Sequence, residues 1–416
     1  MTRKMKDSGI EWIGEIPEEW EIVQLKRFAT VNNGREIENE VHASEYATPV
    51  FGSGGVFKYT DSYMYDGEAV MFGRKGTLGK PIYVNKRFWT VDTMYYLTYN
   101  QSLVAKYNYY QLLVFNWESH ITQTALPSIV ASEIVSCRFP IPPLDEQMYI
   151  SSYLDTQCAK IDAVLEQTRQ SIEEYKRLKQ AVITRAVTKG IRPGRKMKDS
   201  GIEWIGEVPE GWITPKMGDI CMVITDYVAS GSFADLAKNV AYLDDPDYAM
   251  LVRTADISDK GYNKKPVYIN RHAYNYLHNS NLYGGELVFP NIGASVGDVY
   301  IVPVLYERMS LAPNAIMVKT NYIDKYYYYY FQSKPGRLEI QDIAQSTAQA
   351  KFNKTDFRQL RVLLPTVLEQ QQIVQYLDKK SKEMNDIISR KQLFISELES
   401  YKKSLIYECV TGKREV

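Results

Sequence analysis

Two stretches of the chain place an apolar residue every three or four positions for about forty residues, with no Gly or Pro to interrupt them. Stepping by four and three from Leu154 gives Leu154, Cys158, Ile161, Leu165, Thr168, Ile172, Tyr175, Lys179, Val182 and Ala186, of which eight of ten are apolar. The same steps from Leu377 give Leu377, Ser381, Met384, Ile388, Lys391, Ile395, Leu398, Lys402, Leu405 and Cys409, of which seven of ten are apolar. A seam that recurs every 3.5 residues is the signature of a coiled coil. Pro143 suits a first helical turn, Thr366 and Glu369 fit a capping box, and Gly190 and Gly412 suit the ends. A helix of about 38 residues reaches ~57 Å, longer than a domain of ~125 residues is wide. One seam cannot bury itself, so the natural partner of each helix is the other. Either direction of pairing is open, and an antiparallel one would relate two modules by a pseudo-twofold axis.

The rest of the chain alternates strand and helix patterns. EAVMF (68–72) and KPIYVN (80–85) predict strands around the loop GRKGTLG (73–79). ELVF (286–289) and DVYIV (298–302) predict the same around PNIGASVG (290–297). A helix is expected after each, at AKYNYYQLLVF (105–115) and DKYYYYYFQS (324–333). Tyr326 to Tyr330 would point all round such a helix, which favours packing, with hydroxyls at the rim, over base stacking.

These parallels reflect an internal duplication. KMKDSGIEWIGEIPEEW (4–20) recurs as KMKDSGIEWIGEVPEGW (196–212), differing only at Ile16/Val208 and Glu19/Gly211. PPLDEQMYISSYLD (142–155) matches PTVLEQQQIVQYLD (365–378), and the helices end in AVTKG (186–190) and CVTGK (409–413). The ends match while the middles diverge. A duplicated enzyme would keep its catalytic middle, whereas a duplicated reader of two targets would keep its frame and vary its readers.

Composition changes this picture little. The chain has 50 Lys and Arg against 50 Asp and Glu, so it does not hold nucleic acid by bulk charge, although local basic patches would serve. Cys137, Cys158, Cys221 and Cys409 are far apart and form no CxxC pair, which indicates neither a zinc site nor a disulfide framework and points to a reducing, cytoplasmic setting. No apolar run approaches the ~18 residues of a membrane span, and the N-terminus lacks the apolar core of a secretory signal.

Local charge supplies the candidate chemistry. Arg74, Lys75, Lys80, Lys86 and Arg87 fall between Ala69 and Val91, a stretch that contains no acid. Gly76 and Gly79 would let backbone approach a ligand, and loop N–H groups with Thr77, Arg and Lys suit phosphate oxygens. The second loop lacks these charges; Asn291 and Ser295 are its candidates for reading base edges. Arg253, Lys264, Lys265, Lys351 and Lys354, with Lys260, are the other DNA-binding candidates of the second half. Enzyme motifs are missing: GRKGTLGKP fails the P-loop spacing, with Pro81 in place of the magnesium-holding Ser/Thr, and neither a GxGxxG, an HExxH nor an Asn/Asp-Pro-Pro-aromatic signature occurs. No metal site and no catalytic residue is expected.

The combination of the segment at 4–20, its copy at 196–212, FPIPPLDEQ (139–147), LLPTVLEQQ (363–371) and the two helix ends resembles the specificity subunits of type I restriction-modification systems over nearly the whole chain. The resemblance implies an α+β architecture: two mixed α/β target-recognition domains separated by two long antiparallel coiled-coil helices. Applied here, that gives a recognition domain at 1–142, a spacer helix at 143–190, a second recognition domain at 191–365 and a second spacer helix at 366–416. It implies that each domain reads one half of a split, asymmetric site in double-stranded DNA, and that the helices set the gap and dock two modification subunits. No cofactor is expected in this chain; the resemblance implies S-adenosylmethionine in the modification subunits, and ATP and magnesium in restriction subunits that join them. The rival readings are a stand-alone DNA nuclease or methyltransferase, and a coiled-coil interaction protein without a DNA role.

Overall fold

The computed structural model describes residues 3–75, 77–122, 127–257, 265–344 and 350–416. It divides into two units, 1–170 with 391–416 and 171–390. The helices expected from the seams are continuous, Leu144–Lys189 and Val367–Val410. Each unit therefore holds a globular part together with part of both helices, so the division falls within the helices rather than at their ends.

In the first unit the helices run antiparallel. Lys402 pairs with Asp162 at 2.7 Å and Arg169 with Glu399 at 2.7 Å, so numbers rise on one helix as they fall on the other. Leu154, Cys158, Ile161 and Leu165 are buried with Leu405, Ile406 and Cys409, and Ile395 and Leu398 pack against them. The second unit repeats this. The Lys179 ammonium donates to Asn385 at 2.8 Å, and Ile183 and Val187 share a core with Ile373 and Leu377. Every seam position read from the sequence is buried or half-buried, including Ile172 and Met384 (buried) and Val182 and Ile388 (half-buried). Cys158 and Cys409 are free thiols on the seam. Gly190 and Gly412 close the helices in left-handed conformation, with φ of 74° and 71°.

The two globular parts share one plan despite their diverged sequences. In the first unit a four-stranded antiparallel sheet orders Ala29–Asn33, Met94–Tyr99, Glu68–Gly73 and Ile82–Asn85. In the second the order is Cys221–Asp226, Ala315–Thr320, Leu287–Pro290 and Tyr300–Ile301. A second sheet accompanies each, three-stranded in the first unit and four-stranded in the second. Its parallel pair is Thr48–Gly52 with Trp89–Thr90 in one unit, and Ala249–Val252 with Met309–Leu311 in the other. Both loops singled out in the sequence join neighbouring antiparallel strands, and the helices that follow are Ala105–Val114 and Asp324–Gln332.

The tyrosine run is core, with one difference from expectation. Tyr326, Tyr327, Tyr329 and Tyr330 are buried. The Tyr326 hydroxyl donates to the Val187 carbonyl and that of Tyr329 to Asp378, but the hydroxyls of Tyr327 and Tyr330 are buried without a partner among the described residues rather than placed at a rim. Tyr107 and Tyr110 repeat the paired roles in the first unit, on the Val410 carbonyl and on Asp155.

The repeated 17-residue segment clasps the start of a long helix in each unit. The Trp20 indole donates to Glu146 at 2.9 Å, and Arg3 pairs with the same carboxylate at 2.7 Å. In the second unit the Trp212 indole donates to Glu369 at 3.0 Å, and Arg195 pairs with Glu369. Only half of the expected capping box forms at this helix. The Glu369 amide donates to the Thr366 hydroxyl at 3.3 Å, while the Glu369 side chain serves the clasp instead of reaching back to the cap.

The segment's other tryptophan differs between the copies. Trp12 meets Phe115 and Tyr407, whereas the Trp204 indole donates to Glu339 at 3.2 Å. Glu339 is 4% exposed, and burial pushes its carboxyl from 4.5 up to about 7. The folded state thus holds this proton more tightly than the unfolded chain. Its stabilising contribution is full below pH 4.5 and is lost as pH rises through 7. Glu339→Gln, which mimics the protonated form, is expected to change little at pH 5 and to stabilise the protein by about 2 kcal/mol at pH 8.5. Urea midpoints at the two pH values check this; a variant with the same offset at both would show that Glu339 does not titrate in this range.

Candidate nucleic-acid interface

The loops expected to read DNA stand at the same end of the four-stranded sheet in each unit. In the first, Asn33 pairs in register with Tyr95, and Gly73 with Met94, so the ends of two strands flank the start of the third. The Arg74 amide donates to the Thr93 carbonyl at 2.9 Å, and the Ile129 amide donates to the Arg74 carbonyl at 3.0 Å. Lys75 forms a bridge with Ser128. In the second unit Asp226 pairs with Ile316, and Pro290 with Ala315. The Asn291 amide donates to the Asn314 carbonyl at 3.2 Å, the Phe352 amide donates to the Asn291 carbonyl at 3.1 Å, and Ile292 bridges Lys351. Residue for residue, Asn33 stands where Asp226 does, Arg74 where Asn291 does, Thr93 where Asn314 does, and Ser128 where Lys351 does.

The candidate side chains separate into two groups. Lys75, Thr77, Lys80 and Lys86 are exposed, and none of the three lysines has an ion partner among the described residues. Arg74 is half-buried, its guanidinium 5.1 Å from the centroid of the Tyr95 ring, with one nitrogen 3.5 Å from the Asn33 carbonyl oxygen. Lys265, Ser295 and Lys351 are likewise exposed. Three other cations are held within the protein. Arg87 pairs with Asp66 at 2.8 Å, Arg253 with Asp256 at 2.6 Å, and Lys354 with Asp226 at 2.8 Å. Hydrogen bonds donated to the Asp256 and Asp66 carboxylates raise the pKa of Arg253 and Arg87 above the ordinary guanidinium value. Arg253 also donates to the Lys265 carbonyl at 2.6 Å, which ties these two candidates together. Gly76, Lys260 and Lys264 lie outside the described residues.

Gly79 has a different role from the one expected. At φ 69°, a Cβ added to it would lie 2.8 Å from the Trp117 ring, so its missing side chain makes room for a core tryptophan rather than for a ligand.

Asn33, Tyr95, Asp226 and Asn314 belong to this edge but carry no signal in the sequence, because strand pairing brings them there from far along the chain. Asn314 is the one non-glycine residue with positive φ among those described, at 68°, a conformation Asn tolerates better than most residues. Asn291 and Asn314 line a cavity of about 110 Å³ with Asp226 and Tyr227. Beside it, a larger cavity of about 450 Å³ is lined by Arg253, Ser295 and Asn314 among others. Among the described residues no three of His, Cys, Asp and Glu converge as a metal-binding group, and no helix is long and apolar enough to cross a membrane.

Comparison with known proteins points to one family. Residues 17–174 and 209–396 match the model of the type I restriction modification DNA specificity domain. The chain is 22% identical over 419 residues to the MjaVIII specificity subunit of Methanocaldococcus jannaschii, covering 96% of this chain and 94% of that one. It is 23% identical over 265 residues to the EcoKI specificity subunit of Escherichia coli K12, covering 60% and 53%. Among solved structures, it resembles a chain from work on complex assembly and conformational transition of the type I R-M system. That likeness has a TM-score of 0.71 at 13% identity, over 96% of this chain and 99% of that one. The HsdS subunit of Thermoanaerobacter tengcongensis matches with a TM-score of 0.50 at 14% identity, over 96% and 98%.

Proposed function

The chain belongs to the type I restriction-modification DNA specificity family, and from that premise we propose how it does its work. It is the non-catalytic DNA-specificity subunit of such a complex. Each recognition domain reads one half of a bipartite site, and the helix pair sets the gap between the halves. Two modification subunits dock on the helix pair and transfer methyl groups from S-adenosylmethionine to adenine. Restriction subunits bring ATP- and magnesium-dependent cleavage. The complex works in the cytoplasm, where the seam thiols of Cys158 and Cys409 stay reduced.

One observation carries this reading: a duplicated frame presents the same sheet edge twice, each time with different side chains on it. Arg74 and Lys75 in the first unit make the same backbone pairings as Asn291 and Ile292 in the second. Identical edges would read a symmetric site; unlike edges read an asymmetric one. Phosphate contacts from Lys75, Lys80 and Lys86 would give position without sequence information, and base contacts would give the sequence.

The test is to express the chain with its modification subunit in a host lacking other adenine methylation and to map the methylated positions. The expected result is one split motif whose halves differ. A single uninterrupted motif, or a palindrome, would overturn the reading. Methylation or cleavage of DNA by the purified chain alone would instead favour a stand-alone enzyme.

A further inference from the structure

The two sheet edges correspond closely enough for their residues to be compared one by one. Arg74 and Asn291 are each the first residue after a central strand, each donates its amide to the residue preceding the neighbouring strand, and each accepts at its carbonyl from Ile129 or Phe352. Their backbones are fixed alike, so what differs between them is the side chain.

Arg74 differs from the other arginines of the candidate group. Arg87 and Arg253 are bound to carboxylates. The Arg74 guanidinium instead lies over the Tyr95 ring at 5.1 Å and, among the described residues, has one hydrogen-bond contact, with the Asn33 side-chain carbonyl at the outer limit of such a bond. A cation–π contact of this kind holds the guanidinium beside the ring without using up its N–H donors. A planar, oriented donor fork is complementary to two adjacent acceptors, and in the major groove guanine offers such a pair at O6 and N7. A lysine or a freely rotating arginine would suffice for a phosphate.

Asn291 has the opposite polarity. Its side-chain nitrogen donates to the Phe352 carbonyl at 3.2 Å, which fixes the orientation of the amide. Its side-chain oxygen is buried without a partner among the described residues, beside the cavity that Asn291 lines with Asp226 and Asn314. Asp226 uses one carboxylate oxygen on Lys354. An unpaired buried acceptor is costly until a donor reaches it. In the major groove the donors are the exocyclic amino groups of adenine and cytosine.

We infer that this position is the base-reading position of each recognition domain, Arg74 reading a guanine in one half-site and Asn291 an amino-bearing base, adenine or cytosine, in the other. The inference rests on the chain being a DNA reader, and it assigns the donor to one domain and the acceptor to the other.

The experiment is selection of a randomised DNA duplex pool by the chain in complex with its modification subunits, for the wild type and for Arg74→Lys, Arg74→Ala, Asn291→Ala and Lys75→Ala. Arg74→Lys keeps the charge and loses the fork, so it is expected to lower the preference for guanine at one position of one half-site about tenfold or more, leaving other positions unchanged. Arg74→Ala should do the same. Asn291→Ala is expected to relax one position of the other half-site, and the base selected there by the wild type distinguishes adenine from cytosine. Lys75→Ala should weaken all sequences alike and reduce the slope of log affinity against log salt by about 0.9, with the motif intact. If both Arg74 variants behave like Lys75→Ala, or if the motif is unchanged in the Arg74 and Asn291 variants, the assignment is overturned while the DNA-reader reading stands. If the wild-type complex selects no sequence, the DNA-reader reading itself fails, and the assignment with it.

Discussion

Replacing Glu369 by alanine should cost the second unit about 2–4 kcal/mol of stability, because it removes one carboxylate from two groups that depend on it. Glu369 is 8% exposed, and it is the acceptor for the Trp212 indole and the ion partner of Arg195. Trp212 is itself 1% exposed, so its N–H has no access to water once the acceptor is gone. The guanidinium of Arg195, 27% exposed, recovers part of its solvation. Glu369→Gln keeps an acceptor for the indole and loses the charge, so its expected cost is smaller, about 1 kcal/mol. Glu146→Ala, the counterpart in the first unit, should fall below Glu369→Ala, because its side chain is 25% exposed against 10%. Urea unfolding of the three variants checks the order. Equal costs at Glu146 and Glu369, or costs within 0.5 kcal/mol of zero, roughly the spread of ordinary surface substitutions, would mean that the clasp is not what holds the repeated segment to the helix.

That clasp also explains where sequence reasoning reached its limit. The seams were legible, down to buried Leu154 and Leu377, because a heptad is a local pattern and each step is a few residues long. The antiparallel direction was not legible from the seams, since Asp162 and Lys402 look the same in either orientation until they are seen to pair. Glu369 was legible as a helix-cap residue and misread in its main role. Its partners Trp212 and Arg195 are 157 and 174 residues away, and no local rule connects them. The near-identity of 4–20 and 196–212 did mark these segments as important; that each clasps a helix start required the fold.

The candidate interface was legible in the same uneven way. Both loops were found from their glycines and flanking strand patterns, and they occupy equivalent places. Charge alone could not separate Arg74, which lies over the Tyr95 ring, from Arg87, Arg253 and Lys354, which are bound to carboxylates. Charge is a property of the residue, whereas availability is a property of its neighbours. Asn314 and Asp226 went unnoticed because a left-handed backbone and a strand register leave no mark on residue type.

The largest effect of all is expected from shortening the frame. Removing residues 168–174 from the first long helix and 390–396 from the second deletes one heptad from each at facing positions, as the pairing of Lys179 with Asn385 and of Asp162 with Lys402 defines them. A whole heptad preserves the seam. It shortens each helix by ~10.5 Å, equivalent to about three base pairs at 3.4 Å each. The half-site readers are untouched, so the same two half-motifs should be read across a shorter gap, and the original site should no longer be modified. Mapping methylated adenines in cells that carry this doubly shortened chain with its modification subunit is the most direct test of a frame that fixes the spacing of two unlike readers. The account expects both half-motifs unchanged and the gap reduced by about three base pairs; an unchanged gap, with the variant folded and active, would contradict it.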